Sequence, residues 1–168
     1  MIKETNIELD PVTIPEYALH DSKNIKGFFG EYSFLSNFFK CPNGIYFNNI
    51  VFPSTENAYQ SFKFSEKYAK AFAQLTATQS KELAKMIKDK DKSGYNDDDW
   101  RKKKKDIMFG LVFQKFTNDL DFKKKLIDTK DKYLEESNSW GDQYWGVCNG
   151  VGENNLGKIL MRVRDLIK

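Results

Sequence analysis

Residues 45–63, IYFNNIVFPSTENAYQSFK, change their period in the middle. The triplets Ile45-Tyr46-Phe47 and Ile50-Val51-Phe52 flank Asn48-Asn49, a pair suited to the tight turn of a hairpin. Pro53-Ser54-Thr55 then reads as a helix start. Ser54 or Thr55 can serve as N-cap, and Glu56 falls in the first turn, where the helix dipole favours a carboxylate. The spacing predicts a helix from Thr55 to about Ala73. A hairpin that feeds directly into a helix indicates an α+β chain rather than a purely helical one.

Upstream, Gly27 opens the aromatic stretch GFFGEYSFLSNFF, and Cys41-Pro42-Asn43-Gly44 carries the composition of a turn. Residues 1–26 hold Pro11 and Pro15 without helical periodicity, so they are expected to form an extended N-terminal extension before one domain at 27–168. Downstream, Thr78 can cap a second helix with Leu83, Met86 and Ile87 facing inward. Asp97-Asp98-Asp99 opens a third, on which Trp100, Ile107, Met108, Leu111 and Val112 share a stripe, and Asn118 can open a short fourth. KYLEES, residues 132–137, reads as a strand, followed by the irregular loop SWGDQYWGVCNGVGEN. In the last segment Leu156, Ile159, Leu160, Val163 and Ile167 recur at helical spacing behind a cap at Asn154 or Asn155. The expected architecture is helix-rich α+β, a helical body with short strands at one side.

The 168 residues are 40% hydrophobic, enough for one core and too few for two ordinary domains. Lys plus Arg is 27 against 24 acidic residues, so the net charge of +3 marks neither a nucleic-acid binder nor a membrane binder, and local clusters must carry any such reading. Cys41 and Cys148 form no CxxC pair, and His20 is the only histidine. The material for a zinc site or a Cys/His nucleophilic pair is therefore thin, and reduced thiols are expected. No window has the length and apolarity of a signal peptide or a membrane span, and a cytoplasmic location is expected. Aromatic residues reach 15% and often sit beside Gly and Asn, where core packing does not require them. Such residues commonly clamp flat ligands.

Glu56, Gln60 and Lys63 fall at i, i+4 and i+7, so a carboxylate, an amide and an amine share one helical face. An exposed, solvated stripe would look the same. In WGDQYWG the aromatics crowd around Asp142, which suits a pocket wall containing Trp145 or a surface loop held down by its tryptophans. Gly150 to Gly157 place flexible backbone at the start of the terminal helix, a natural phosphate site or plain capping; the dinucleotide fingerprint is absent. The run Arg101-Lys102-Lys103-Lys104-Lys105 circles a whole turn and reads as a solvated face, with phosphate or nucleic-acid contact as the sharper alternative.

In order and spacing these segments resemble the NADAR family, the YbiA-like group of N-glycosidases. FFGEYSFLSNFF resembles the opening motif that ends in Leu-Ser-Asn-Phe, and PSTENAYQSFK resembles the Glu-His-x-x-Gln-x-x-Lys helix. Trp100 with Arg101 and Met108, SNSWGDQYWG, and GENNLGKILMRVR complete the match over roughly residues 27–168. The family's His after the helix Glu is Asn57 here, and either Glu135 or Glu136 corresponds to its Glu upstream of the Trp-Gly pair.

The resemblance implies a hydrolase acting on N-glycosyl bonds between a base or amine nitrogen and a phosphorylated ribose. Riboflavin-pathway intermediates and ADP-ribosyl-guanine are the substrate classes it implies. Carried over by position, Glu56, Lys63 and Asp142 are the catalytic candidates, with Glu56 and Asp142 sharing charge stabilisation and proton transfer in an unassigned order. Asn37, Gln60, Trp100, Trp145, Asn154, Asn155 and Gly157 are the substrate-binding candidates. The resemblance also suggests that Lys63 attacks the anomeric carbon and forms an imine with the opened ribose. No metal and no cofactor is expected; the partner is a small ribose-phosphate or ADP-ribose molecule, or ADP-ribosylated nucleic acid. A silent module that binds ADP-ribose or NAD would keep the aromatic pocket without needing Glu56 or Lys63, and a nucleic-acid-binding protein would rest on the basic run alone.

Overall fold

A computed structural model describes residues 14–91 and 97–168. The change of period at Ser54 is realised: β3 (Lys40–Phe47) and β4 (Ile50–Ser54) pair antiparallel. Asn48 and Asn49 between them have φ of 45° and 59°, the left-handed pair that matches the twist of a hairpin. Cys41-Pro42-Asn43-Gly44 is not a turn but an irregularity inside β3, where the register shifts between Lys40 and Ile45. Pro42 has no N–H to give the ladder, and the Asn43 amide donates instead to the Asn118 carbonyl at 2.9 Å.

Ser54 caps α1 (Thr55–Ser61), its hydroxyl accepting from Asn57 N at 3.2 Å. The helix ends at Ser61 rather than near Ala73. Ser61 Oγ donates to the Ala58 carbonyl at 2.7 Å, and such local bonding competes with the helical ladder. The backbone then tightens, with Lys63 N on Gln60 O and Phe64 N on Ser61 O. Phe62 stacks on Phe47 and Phe64 on Phe72, with ring centroids 3.8 and 5.7 Å apart. After an extended Ser65 and a 3-10 turn at Glu66–Tyr68, the chain resumes as α2 (Ala69–Ala73).

Asn57, fully buried, points away from the pocket described below. Its amide lies 2.8 Å from the carbonyls of Phe72 and Leu75 and 2.7 Å from Ser80 Oγ, joining α1 to α2, to α3 (Ala77–Lys90) and to the link between them. The cap of α3 is Thr76, in a reciprocal box with Gln79, and not Thr78. Its buried stripe is Ser80, Ala84 and Ile87, whereas Met86, expected inside, is 52% exposed. On α4 (Asp97–Thr117) the expected stripe holds: Trp100, Met108, Leu111 and Val112 are buried and Ile107 half-buried. Asp119, not Asn118, caps α5 (Leu120–Asp128), its carboxylate accepting from Asp121 N and Phe122 N.

β1 (Leu19–His20), β2 (Asn24–Lys26) and β5 (Tyr133–Glu135) form one sheet in the order β1-β2-β5, with β2 and β5 parallel and Ile25 opposite Leu134. Residues 19–26, expected in an extension, thus supply two strands; residues 1–13, with Pro11, lie outside the described part. His20 Nε2 is 2.8 Å from the Gly27 carbonyl and its ring meets Tyr32 edge-on, a structural use of the histidine. β6 (Ser137–Asn138) and β7 (Val147–Cys148) make a short parallel pair, and α6 (Asn155–Ile167) closes the fold against α4 and β5. Both cysteines are free and buried. Among the described residues no helix is long and apolar enough to cross a membrane.

Leu156, Leu160, Val163 and Ile167 bury the inner face of α6. Gly157 sits where this helix crosses β5, and a Cβ there would collide with the Leu134 carbonyl and the Asn154 side chain. Gly157→Ala should therefore cost about 2–4 kcal/mol, read as a lower urea midpoint. An unchanged midpoint would show that the helix and strand can separate without loss.

Candidate active site

The start of α1 fixes the first carboxylate. Glu56 N donates to the Asn37 carbonyl at 3.0 Å, and Glu56 Oε1 accepts from Gln60 Nε2 at 2.6 Å, one turn along the same face. Lys63 lies two residues beyond the end of α1, yet the 3-10 turn keeps its side chain on that face. Glu56, Gln60 and Lys63 all line one cleft, together with Asn37, Asp142 and Trp145. Six of the ten expected site residues are brought together there.

Opposite α1, β5 leads into a second wall. Successive strand residues face opposite ways, and the two glutamates divide accordingly. Glu135 pairs with Lys26 at 3.6 Å and accepts from Ser137 Oγ at 2.7 Å, while Glu136 faces the cleft. Asp142 Oδ1 accepts from Tyr144 N at 3.1 Å and Trp145 N at 2.9 Å, an Asx turn that holds the loop closed. Asn138 fastens the same loop, donating to the Asp142 carbonyl at 2.8 Å and accepting from Asp142 N at 3.1 Å.

Burial governs the charges. It raises the Glu56 carboxyl above its ordinary range, with Gln60 and Lys63 opposing. It lifts Glu136 to about 8, helped by the negative charges of Asp142 and Glu56. It lowers Lys63 to about 8, against the pull of Glu56. The Lys63 amine lies 5.1 Å from the Tyr59 ring centroid and 5.5 Å from that of Trp100, and Tyr59 meets both Trp100 and Trp145 edge-on. Gln60 Oε1 and Glu136 Oε2 are buried and have no hydrogen-bond partner among the described residues. Buried polar atoms are nearly always satisfied, so these two are the exceptions that line the cleft.

Trp100 is buried behind Tyr59 and Lys63 and supports the cleft from beneath rather than lining it. Asn154, Asn155 and Gly157 are outside it, and only Leu156 of the α6 start reaches the cleft wall. Three of the N–H groups expected to meet a phosphate are occupied: Asn154 N, Asn155 N and Leu156 N donate to the carbonyls of Gly146, Tyr144 and Trp145. Asn154 stands at the cap position with φ of 52° and no side-chain cap. Its amide donates to the Leu134 carbonyl and Tyr133 Oη and accepts from Glu136 N, so it places Glu136 instead of binding a ligand. Asn155 donates to the Tyr144 carbonyl and Glu153. In the basic run, Lys103 pairs with Asp99, Lys105 with Glu153, and Lys104 lies 3.3 Å over the Tyr144 ring, clamping the loop from outside.

Sequence reasoning did not select Glu136, Tyr59, Lys81, Phe38 or Trp140, all of which line the cleft. For Glu136 the signal was present, because strand alternation from the apolar Leu134 places it on the core side. Nothing local marks Lys81, an ordinary exposed helix lysine until α3 is docked on α1.

The NADAR domain family model matches residues 24–168. An N-glycosidase of Nostoc punctiforme is 34% identical over 139 residues, 82% of this chain and 86% of that protein. A riboflavin biosynthesis protein of Vibrio vulnificus is 31% identical over 137 residues, 80% of this chain but only 35% of that longer protein. N-glycosidase YbiA of Escherichia coli is 28% identical over 80% of this chain and 81% of its own length. The solution structure of Escherichia coli YbiA superimposes with a TM-score of 0.71 at 24% identity, covering 90% of this chain and 89% of that one, which establishes the shared α+β fold. With the family model spanning β2 to α6 and both walls of the cleft, the chain belongs to the NADAR family.

Proposed function

We propose that the cleft hydrolyses the N-glycosidic bond between a base or amine nitrogen and a phosphorylated ribose. The observation that carries this reading is the convergence of the Lys63 amine with the carboxyls of Glu56, Glu136 and Asp142 on one cleft, where burial favours the neutral amine and the protonated forms of Glu56 and Glu136. Breaking a C–N bond at the anomeric carbon needs a nucleophile or a charge partner for the ribose, and a proton for the departing nitrogen.

In this reading neutral Lys63 attacks C1′ while the bond to the base nitrogen breaks, and a protonated carboxyl gives that nitrogen its proton. Glu136, which lines the cleft and whose buried Oε2 has no hydrogen-bond partner among the described residues, is the best placed donor, with Glu56 beside it. Asp142, fixed by two backbone N–H groups, stabilises positive charge developing on the ribose. The ribosyl-lysine adduct then opens: its ammonium gives a proton to the carboxylate left by the first step, that carboxyl passes the proton to O4′ as the C1′–O4′ bond breaks, and a protonated imine joins C1′ to Nζ. Water adds to the imine and releases the sugar aldehyde, returning the amine. Tyr59 and Trp145 pack against the base or sugar and exclude bulk water. Asn57 removes nothing from this chemistry, because the side chain at that position knits α1 to α3.

Two substrate classes fit: a riboflavin-pathway intermediate and ADP-ribosylated guanine. Incubating the protein with each and detecting products by mass should reveal a free base or amine and a ribose carrying phosphate or diphosphate. Intact substrates of both classes after long incubation with folded protein would defeat the proposal.

A further inference from the structure

The cleft does not end at Lys63. Gln60, Lys63 and Lys81 also line a second cavity, whose outer wall is the α3 face bearing Lys81, Lys85 and Lys88. These lysines recur at i, i+4 and i+7 and so form one stripe. Among the described residues no carboxylate lines this second cavity, and neither Lys81 nor Lys85 makes an ion pair. Many exposed lysines elsewhere are neutralised, as Lys67 is by Asp91, Lys124 by Asp128 and Lys125 by Asp121. The two adjoining cavities therefore differ in charge, with Glu56, Glu136 and Asp142 lining the first and lysines the only charged groups lining the second.

We propose that the lysine-lined cavity is the phosphate subsite, in which Lys81 and Lys85 hold the phosphoryl group on ribose C5′ and Lys88 meets a second phosphoryl group when there is one. The proposal rests on the reading of the cleft as acting on a phosphorylated ribose. Such a molecule matches the pair of cavities in charge: its anomeric carbon becomes positive during cleavage, and its C5′ end is anionic. Lys81 and Lys85 lie one turn apart, about 6 Å along the axis, so both amines can converge on one phosphoryl group. This places phosphate recognition on α3, and not at the start of α6, where the N–H groups of Asn154, Asn155 and Leu156 already donate to loop carbonyls.

Binding tests this without requiring turnover. In calorimetry with the full chain, ribose 5-phosphate should bind at least about tenfold more tightly than ribose, because hydrogen bonds between an ammonium and a phosphoryl oxygen are charge-assisted. The exposed double variant Lys81→Glu/Lys85→Glu should lose at least that factor for ribose 5-phosphate and for ADP-ribose and leave ribose unchanged. Lys81→Gln/Lys85→Gln should lose a smaller share, and repeats the test if the reversal unfolds the protein. Lys88→Glu should weaken ADP-ribose more than ribose 5-phosphate. Lys102→Glu/Lys103→Glu, on α4, is the charge-matched control and should change neither affinity. The proposal is overturned by undetectable ribose 5-phosphate binding, by unaltered affinity in both lysine double variants, or by an equal loss in the control. Lysine-dependent binding without hydrolysis of any riboside would leave the subsite standing and remove the hydrolase reading; hydrolysis with lysine-independent binding would do the reverse.

Discussion

Lys63→Arg should lower kcat/KM by about a thousandfold or more, the order of loss expected when a nucleophile is removed and its positive charge kept. Arginine preserves the electrostatic partner of Glu56, yet guanidinium stays protonated and cannot attack carbon. Borohydride added during turnover should reduce the imine to a secondary amine and leave the ribose phosphate on Lys63, visible by peptide mass. The pH profile carries an independent sign. The amine must be neutral, which holds above about 8, and Glu136 must be protonated, which holds below about 8. The rate should therefore fall on both sides of a maximum near 8. Full activity in Lys63→Arg, with no adduct on the parent protein, would make Lys63 a ligand for sugar or phosphate and leave attack to a water activated by Asp142 or Glu56.

The second large effect is on the carboxylates. Glu56→Ala and Asp142→Ala should each reduce turnover by on the order of a hundredfold or more, through lost proton transfer or lost stabilisation of charge. Asp142→Ala also frees the N–H groups of Tyr144 and Trp145, so loop order changes together with charge. Asp142→Asn separates the two, because its side-chain oxygen still accepts those hydrogen bonds. A comparable loss in Asp142→Asn, with an unchanged circular dichroism spectrum, assigns the effect to charge. Near-normal rates in folded Glu56→Ala and Asp142→Asn would sink both assignments.

The readable parts of this chain were those set by local chemistry. Asn48-Asn49 between two apolar triplets specified the hairpin, Ser54 specified the start of α1, and the spacing of Leu156, Leu160, Val163 and Ile167 specified α6. The one-face arrangement of Glu56, Gln60 and Lys63 survived even though α1 stops at Ser61, because the following turn preserves their direction. What failed depended on tertiary partners. Aromatic stacking of Phe62 and Phe64 breaks the expected long helix, and the loop carbonyls of 144–146 occupy three N–H groups at the start of α6. A glycine- and asparagine-rich helix start looks the same in sequence whether it faces a phosphate or a neighbouring loop. Glu136 was within reach of strand alternation, whereas Lys81 enters the site only because Asn57 locks α3 against α1.

The hydrogen bonds from the first turn of α6 to the carbonyls of Gly146, Tyr144 and Trp145 bear on the order of assembly during synthesis. Every side chain assigned to chemistry lies before residue 146, so all of them are synthesised before residues 155–167. Until those residues fold, the loop that presents Asp142 keeps its own turn and the contacts of Asn138 and Lys104 but lacks the hydrogen bonds from α6. A nascent chain can thus carry all its reactive groups with the cleft still unfinished, and a helix that lends the cleft only Leu156 is the part that completes it.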